Sequence, residues 1–181
     1  MSEDKIMQDV FERGEDIHQA TADFMGIERR IAKNVNFAIL YGGSPETIAE
    51  TAGINDINKA AELRKLWMQS YRKAADWIHD MQMFAVQHRK VSTIGGAWLY
   101  IMKEESDAGI MRKGVNYIIQ GSAAELTKKA MVKCKDLPML LQVHDSLLFN
   151  GNVLDDVKKL GLDHVGPFLT PMDYKVMERW E

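Results

Sequence analysis

The sequence has a single cysteine, Cys134, among its 181 residues. That excludes an internal disulfide and any zinc site built on paired thiolates. Its helical, lysine-rich setting points to a structural thiol rather than a nucleophile. The other metal and nucleophile signals are missing too. His18, His79, His88 and His164 lack zinc-ligand spacing, and no serine stands in the context of a nucleophile elbow. No apolar run is long enough to cross a bilayer, and the opening MSEDKIMQDVFERGED is acidic where a signal peptide is basic and then apolar. These absences lead us to expect a cytoplasmic protein with no membrane partner. Repeats, low-complexity tracts and an obvious flexible linker are also lacking.

An excess of positive charge is absent as well. The net charge of −3 argues against a stand-alone nucleic-acid binder, because phosphate contacts dominate that kind of affinity. The average conceals a segregation: residues 1–28 carry eight acidic and two basic side chains, and residues 112–135 carry six basic and one acidic. A local positive face is therefore available. With 46% hydrophobic and 27% charged residues, the chain can bury a core as one domain or two small lobes.

The pattern along the chain is mostly helical, interrupted twice by strands. Asp16 to Met25 reads as a helix stopped by Gly26, and Glu28 to Leu40 as another stopped by Gly42-Gly43. Ser44-Pro45-Glu46 supplies a cap, a first-turn proline and an acidic residue for a short helix toward Gly53. Asn55 or Asp56 caps the next, and a helical period continues to about Arg89, in two segments. Val91 to Ile101 reads as a hairpin around Gly95-Gly96, and Asp107 to Lys135 as a helix or helix pair. Leu140 to Val143 and Ser146 to Phe149 form strands about a His144-Asp145 turn. The tail from Asn152 is the least readable part.

Three features carry chemistry. Arg29, Lys33, Phe37 and Tyr41 step by four, which on a helix makes a gently winding ribbon about 18 Å long. Its cationic end lies at the helix N-terminus, where free N–H groups and the helix dipole favour anions. A phosphate chain would suit that end and a sugar or base the aromatic end. On spacing alone, solvated cations with core aromatics explain the series better. Downstream, Arg112, Asn116 and Gln120 again step by four. A guanidinium and two amides suit the acceptors that every base pair presents in the minor groove, although polar residues on a helix are commonly just solvated. Third, Gln142-Val143-His144-Asp145 puts a carboxylate at a tight turn between apolar strands. Hard cations such as Mg²⁺ favour such an oxygen ligand.

Taken in order, these motifs resemble a known family. Arg29, Lys33, Phe37 and Tyr41-Gly42, then Val115-Asn116-Tyr117-Ile118-Ile119-Gln120-Gly121-Ser122-Ala123-Ala124-Glu125, then Gln142-Val143-His144-Asp145, are similar to the C-terminal half of family A, DNA polymerase I-type, DNA polymerases. Val10 to Gly26 and Tyr174 to Trp180 add to the likeness, which covers nearly the whole chain. The resemblance implies an α+β fold: mainly helical fingers plus a partial palm with antiparallel strands. It divides the chain into an entry segment at 1–27, fingers helices at 28–90, and the C-terminal part of the palm at 91–181.

The resemblance also implies roles. His18, Arg29 and Lys33 hold the triphosphate of an incoming dNTP, Phe37 packs on its sugar and base, and Tyr41 guards the template-base position. Arg112, Asn116, Gln120 and His144 lie along the primer-template DNA. Asp145 is one of two aspartates for a pair of Mg²⁺ ions, and it and Lys33 are the candidate catalytic residues.

Departures from the family pattern shape the expected activity. The family's first metal aspartate, with its steric-gate glutamate, would precede residue 1, as would the thumb and any exonuclease. Ser146 replaces the usual glutamate after the aspartate, Ala97 stands where an arginine is common, and the loop between Gly26 and Arg29 is short. One aspartate is a poor seat for two hard cations about 4 Å apart. The chain is therefore expected to be inactive alone and to work with a second polypeptide that supplies the thumb, the first palm motif and the other aspartate. The alternatives are a piece excised from an intact polymerase, a noncatalytic nucleotide- or DNA-binding module, and a helical scaffold whose motif matches arise by chance.

Overall fold

The computed structural model describes all residues except 103–105, 163, 166–167, 171 and 179–181. The final part of the Tyr174 to Trp180 resemblance thus lies outside the described residues. The architecture is α+β, with helices predominating and three two-stranded antiparallel sheets among the described residues. The chain divides into two compact units, Met1–Ile119 and Gln120–Glu181.

The first unit begins with α1 (Lys5–Glu12), α2 (Ile17–Met25), α3 (Arg29–Leu40), α4 (Pro45–Ala52), α5 (Ile57–Ser70) and α6 (Arg72–His88). Local chemistry sets their ends. Asp16, Ser44 and Asp56 each accept hydrogen bonds from first-turn N–H groups, as N-caps do. Gly26 closes α2 in the left-handed conformation that glycine adopts without penalty. The helix α1 is an element that the sequence reading did not assign. Its cap, Asp4, is buried and serves two helices: one carboxylate oxygen accepts from Met7 N–H at 3.2 Å, the other from Ala74 N–H of α6 at 3.2 Å.

The main core gathers Val35 and Ile39 of α3, Ile48 of α4, Leu63 and Trp67 of α5, Tyr71, and Ile78 of α6. A second cluster joins Ala85, Val91, Ile101, Ile110 and Ile118. It lies by the hairpin of β1 (Lys90–Ser92) and β2 (Trp98–Tyr100), which pair Lys90 with Tyr100 and Ser92 with Trp98. The long helix α7 (Asp107–Lys133) follows. Gly114 lets it approach α6 closely, since a Cβ there would stand 2.5 Å from Ala85 Cβ.

The second unit takes up the end of α7, then β3 (Met139–Val143), β4 (Ser146–Phe149), α8 (Leu154–Lys159) and the short pair β5 (His164–Val165) and β6 (Phe168–Leu169). Its core is Ala130, Cys134, Val157 and Leu162, with Leu137, Leu147 and Phe149 packed against them. Cys134 is fully buried and burial pushes its thiol pKa up, as a structural cysteine requires. Lys133 ties α7 to the end of α8 by donating to the carbonyls of Leu160 and Gly161, each at 3.2 Å.

The β3–β4 pairing breaks register between Met139 and Leu141. This bulge leaves Leu140 without a cross-strand partner, and Leu140 and Leu141 are 63% and 51% exposed. The apolar run at 140–141 is thus a strand as expected, but much of its hydrophobic surface faces outward.

Candidate functional site

Helix α3 has a buried and an open face, and the four-residue series from Arg29 runs along the open one to the half-buried cap residue Tyr41. Ala32, Val35, Asn36, Ala38 and Ile39 are buried, whereas Arg29, Lys33 and Phe37 are exposed. Phe37 is 40% exposed, which removes it from the core and decides against the core-aromatic reading of that side chain. The rings form a ladder. Phe37 and Tyr41 stack with centroids 6.3 Å apart and planes 9° from parallel, and His18 meets Phe37 edge-on at 5.3 Å. Lys33 Nζ lies 5.9 Å from the Phe37 centroid, within cation–π reach. The cations, the histidine and the aromatic rings therefore share one open surface of the first unit.

Asp16 organises the cationic end. One of its carboxylate oxygens caps α2 by accepting from His18 N–H at 2.7 Å and Gln19 N–H at 3.1 Å. The other accepts from Arg29 Nε at 3.1 Å and also from its Nη2. The Arg29 hydrogen bond chiefly holds the Asp16 pKa down at about 2, with the backbone donors adding and burial opposing. Sequence reasoning did not select Asp16 for this role, because a helix cap does not announce a partner thirteen residues away.

Behind His18 lies a buried polar chain that the sequence reading also missed. Asn36 Nδ2 is 3.0 Å from His18 Nδ1 and donates to Thr21 Oγ1 at 3.1 Å; Trp67 Nε1 donates to Asn36 Oδ1 at 2.8 Å. Thr21 Oγ1 also lies 2.9 Å from the Tyr71 hydroxyl and donates to the Ile17 carbonyl at 2.7 Å. A usable signal was present. Asn36 falls among Ala32, Val35 and Ile39 on the apolar stripe of α3, where an amide needs buried partners.

Helix α7 carries Arg112, Asn116 and Gln120 at intervals of one turn and a fraction. Arg112 and Gln120 are exposed, and the Cγ of Arg112 would meet a Cβ on Gly42 at 3.2 Å. Asn116 is half-buried, and its Oδ1 is shielded without a hydrogen-bond partner.

In the second unit, His144 and Asp145 form the two-residue connection of β3 and β4 and are both exposed. His144 has φ of +53°, the left-handed geometry that such short hairpin loops demand of their first residue. The Gln142 side chain braces the turn by donating to the His144 carbonyl. Asp145 lines a cavity of about 870 Å³ together with Lys129, Lys133, Asn152, Asp173 and Tyr174. Among the described residues, no group of three His, Cys, Asp or Glu side chains converges to form a ready metal site. Asp145 can offer a hard cation one carboxylate.

The sequence profile of DNA polymerase family A matches residues 1–160. The chain belongs to that family. DNA polymerase I of Helicobacter pylori (strain ATCC 700392 / 26695) is 28% identical over an alignment covering 99% of this chain and 23% of that protein. Thermostable DNA polymerase I of Thermus filiformis is 34% identical, with 82% of this chain and 20% of that protein covered. A solved structure, the POL domain of Pol1 from M. smegmatis in complex with DNA primer-template and dNTP, matches with a TM-score of 0.77 and 25% identity. It covers 90% of this chain and 32% of that one. This family A chain thus spans between a fifth and a quarter of the length of these curated relatives.

Proposed function

We propose that the chain contributes the nucleotide-binding fingers and one metal-holding carboxylate to a template-directed DNA polymerase, acting with a second polypeptide. The observation that carries this reading is the open face of α3, where Arg29, Lys33, Phe37 and Tyr41 line up beside His18. Arg29, Lys33 and His18 receive the triphosphate of a dNTP at the helix N-terminus, and Phe37 packs on its sugar and base. Tyr41, at the end of the ladder, occupies the template-base position. Arg112, Asn116, Gln120 and His144 contact the primer-template duplex, the amides and guanidinium through minor-groove acceptors common to all base pairs. In this assignment the fingers are the helices of 28–90, entered through 1–27, and the palm portion is 91–181.

Asp145 fits one position in a magnesium site. Magnesium ions, when bound, activate the attacking primer oxygen and stabilise the leaving pyrophosphate. A pair of such ions needs more carboxylate than Asp145 supplies, so we assign the remaining ligands to a partner polypeptide. That partner would also carry the thumb, the first palm motif and any exonuclease. The exposed Leu140 and Leu141 favour this reading, because an apolar β-edge of this kind is suited to pairing with further strands. A basic partner would compensate the chain's own net charge of −3.

Primer extension with Mg²⁺, by the purified chain with and without proteins that copurify from its native source, tests the proposal. Extension is expected only with the partner; extension by the chain alone overturns the partner requirement. The lone carboxylate at the β3–β4 turn favours a second reading, a noncatalytic nucleotide- or DNA-binding module. Persistent binding with no extension under any combination of native partners would select it.

A further inference from the structure

The buried chain behind His18 determines where the protons of that imidazole lie. An indole nitrogen is only a donor, so the 2.8 Å contact from Trp67 Nε1 requires the oxygen of the Asn36 amide on that side. The amide nitrogen therefore faces Thr21 and His18, at 3.1 and 3.0 Å. Thr21 has one hydroxyl proton, and it goes to the Ile17 carbonyl at 2.7 Å. Its oxygen thus accepts from both Asn36 and Tyr71. An amide nitrogen only donates, so His18 Nδ1 must accept.

From this geometry we infer that Asn36 is a positioning residue that keeps His18 neutral with its proton on Nε2, so that the imidazole presents an N–H donor, rather than a bare acceptor, to an anion held by Arg29 and Lys33. The identity of that anion as a nucleoside triphosphate rests on the function proposed above; the tautomer does not. Protonating Nδ1 would set two donors against each other at 3.0 Å. The surroundings act in the same direction. Burial lowers the His18 pKa, Arg29 and Lys33 on α3 add to the lowering, and only Asp16 at the head of α2 opposes it. Tyr71, at the far end of the network, holds its proton at neutral pH as any phenol does, and burial pushes its pKa further up. The site is thus biased toward a neutral donor that adds direction, while the fixed charge comes from Arg29 and Lys33.

Long-range ¹H–¹⁵N correlation spectra of the ¹⁵N-labelled 181-residue chain test this directly. At neutral pH, His18 Nδ1 is expected at the shift of an unprotonated imidazole nitrogen and Nε2 at that of a protonated one. A protonated Nδ1 in the wild-type chain overturns the inference with no variant needed. Asn36→Asp replaces the facing donor with an acceptor at nearly constant shape. It should move the proton to Nδ1 and raise the His18 titration midpoint by a unit or more, a tenfold gain in proton affinity; an unchanged or lower midpoint in the folded variant counts against Asn36. Inorganic tripolyphosphate is the probe for the donor's role. It should shift the Nε2–H signal in the wild-type chain; no response up to millimolar concentration, with the tautomer as inferred, overturns the role given to that donor and leaves the tautomer assignment standing.

Discussion

Arg29 is held by the same carboxylate, Asp16, that caps the helix bearing His18. One acidic side chain therefore sets both the start of α2 and the position of a cation on α3. The pair is exposed, so its worth lies more in orientation than in stability.

Replacing Asp16 separates these two tasks. Asp16→Asn retains a good cap and loses the ion pair, whereas Asp16→Ala loses both and should cost about 1 kcal/mol of stability. Because the Asp16 pKa in the folded chain, about 2, lies below its ordinary value of 3.8, the folded state binds fewer protons in between. The contribution is complete above that ordinary value and disappears as the pH falls toward about 2. Thermal melts across this range should show a shallower acid dependence in Asp16→Asn than in the wild type.

Arg29→Ala and Lys33→Ala should each weaken nucleoside triphosphate binding by about 1.5–3 kcal/mol, the range for hydrogen bonds to charged groups. That corresponds to roughly ten- to hundredfold in Kd. Titration of the nucleotide at two salt concentrations measures both the loss and its screening. Wild-type affinity in both variants would return these cations to ordinary solvated residues.

For the two-chain polymerase proposed above, Asp145→Ala should abolish primer extension and leave nucleotide binding largely intact. Asp145 is exposed at its turn, so stability should change by no more than about 0.5 kcal/mol. Retained extension would remove Asp145 from the metal site.

Gly114→Ala tests the packing of α6 on α7. The added methyl has no room beside Ala85, so despite alanine's better helix propensity the variant should lose about 1–3 kcal/mol. Urea denaturation monitored through the tryptophans measures it; a neutral or stabilised variant would mean that the two helices separate freely at this point.

Much of the helical order was legible because its punctuation is local. The helix start at Asp16, the stop at Gly26, the Ser44-Pro45 start and the cap at Asn55 or Asp56, which the structure resolves to Asp56, each act within one turn of chain. The His144-Asp145 turn was legible for the same reason. What escaped depends on distant partners. Asp4 reaches Ala74 across seventy positions, and Asn36 meets Trp67 across thirty-one. The strands β5 and β6 have only two residues each, too few for an alternating pattern to register. In β3 an apolar run was readable, but the bulge at Leu140 and the exposure of Leu140 and Leu141 leave no mark in composition.

Those two outward leucines also foretell how solutions of the isolated polypeptide behave. A greasy, hydrogen-bond-hungry rim finds a substitute in another molecule's rim, so crowding should drive reversible clumping through this hairpin. A lysine in place of Leu140 should suppress that clumping and would also blunt any natural docking there.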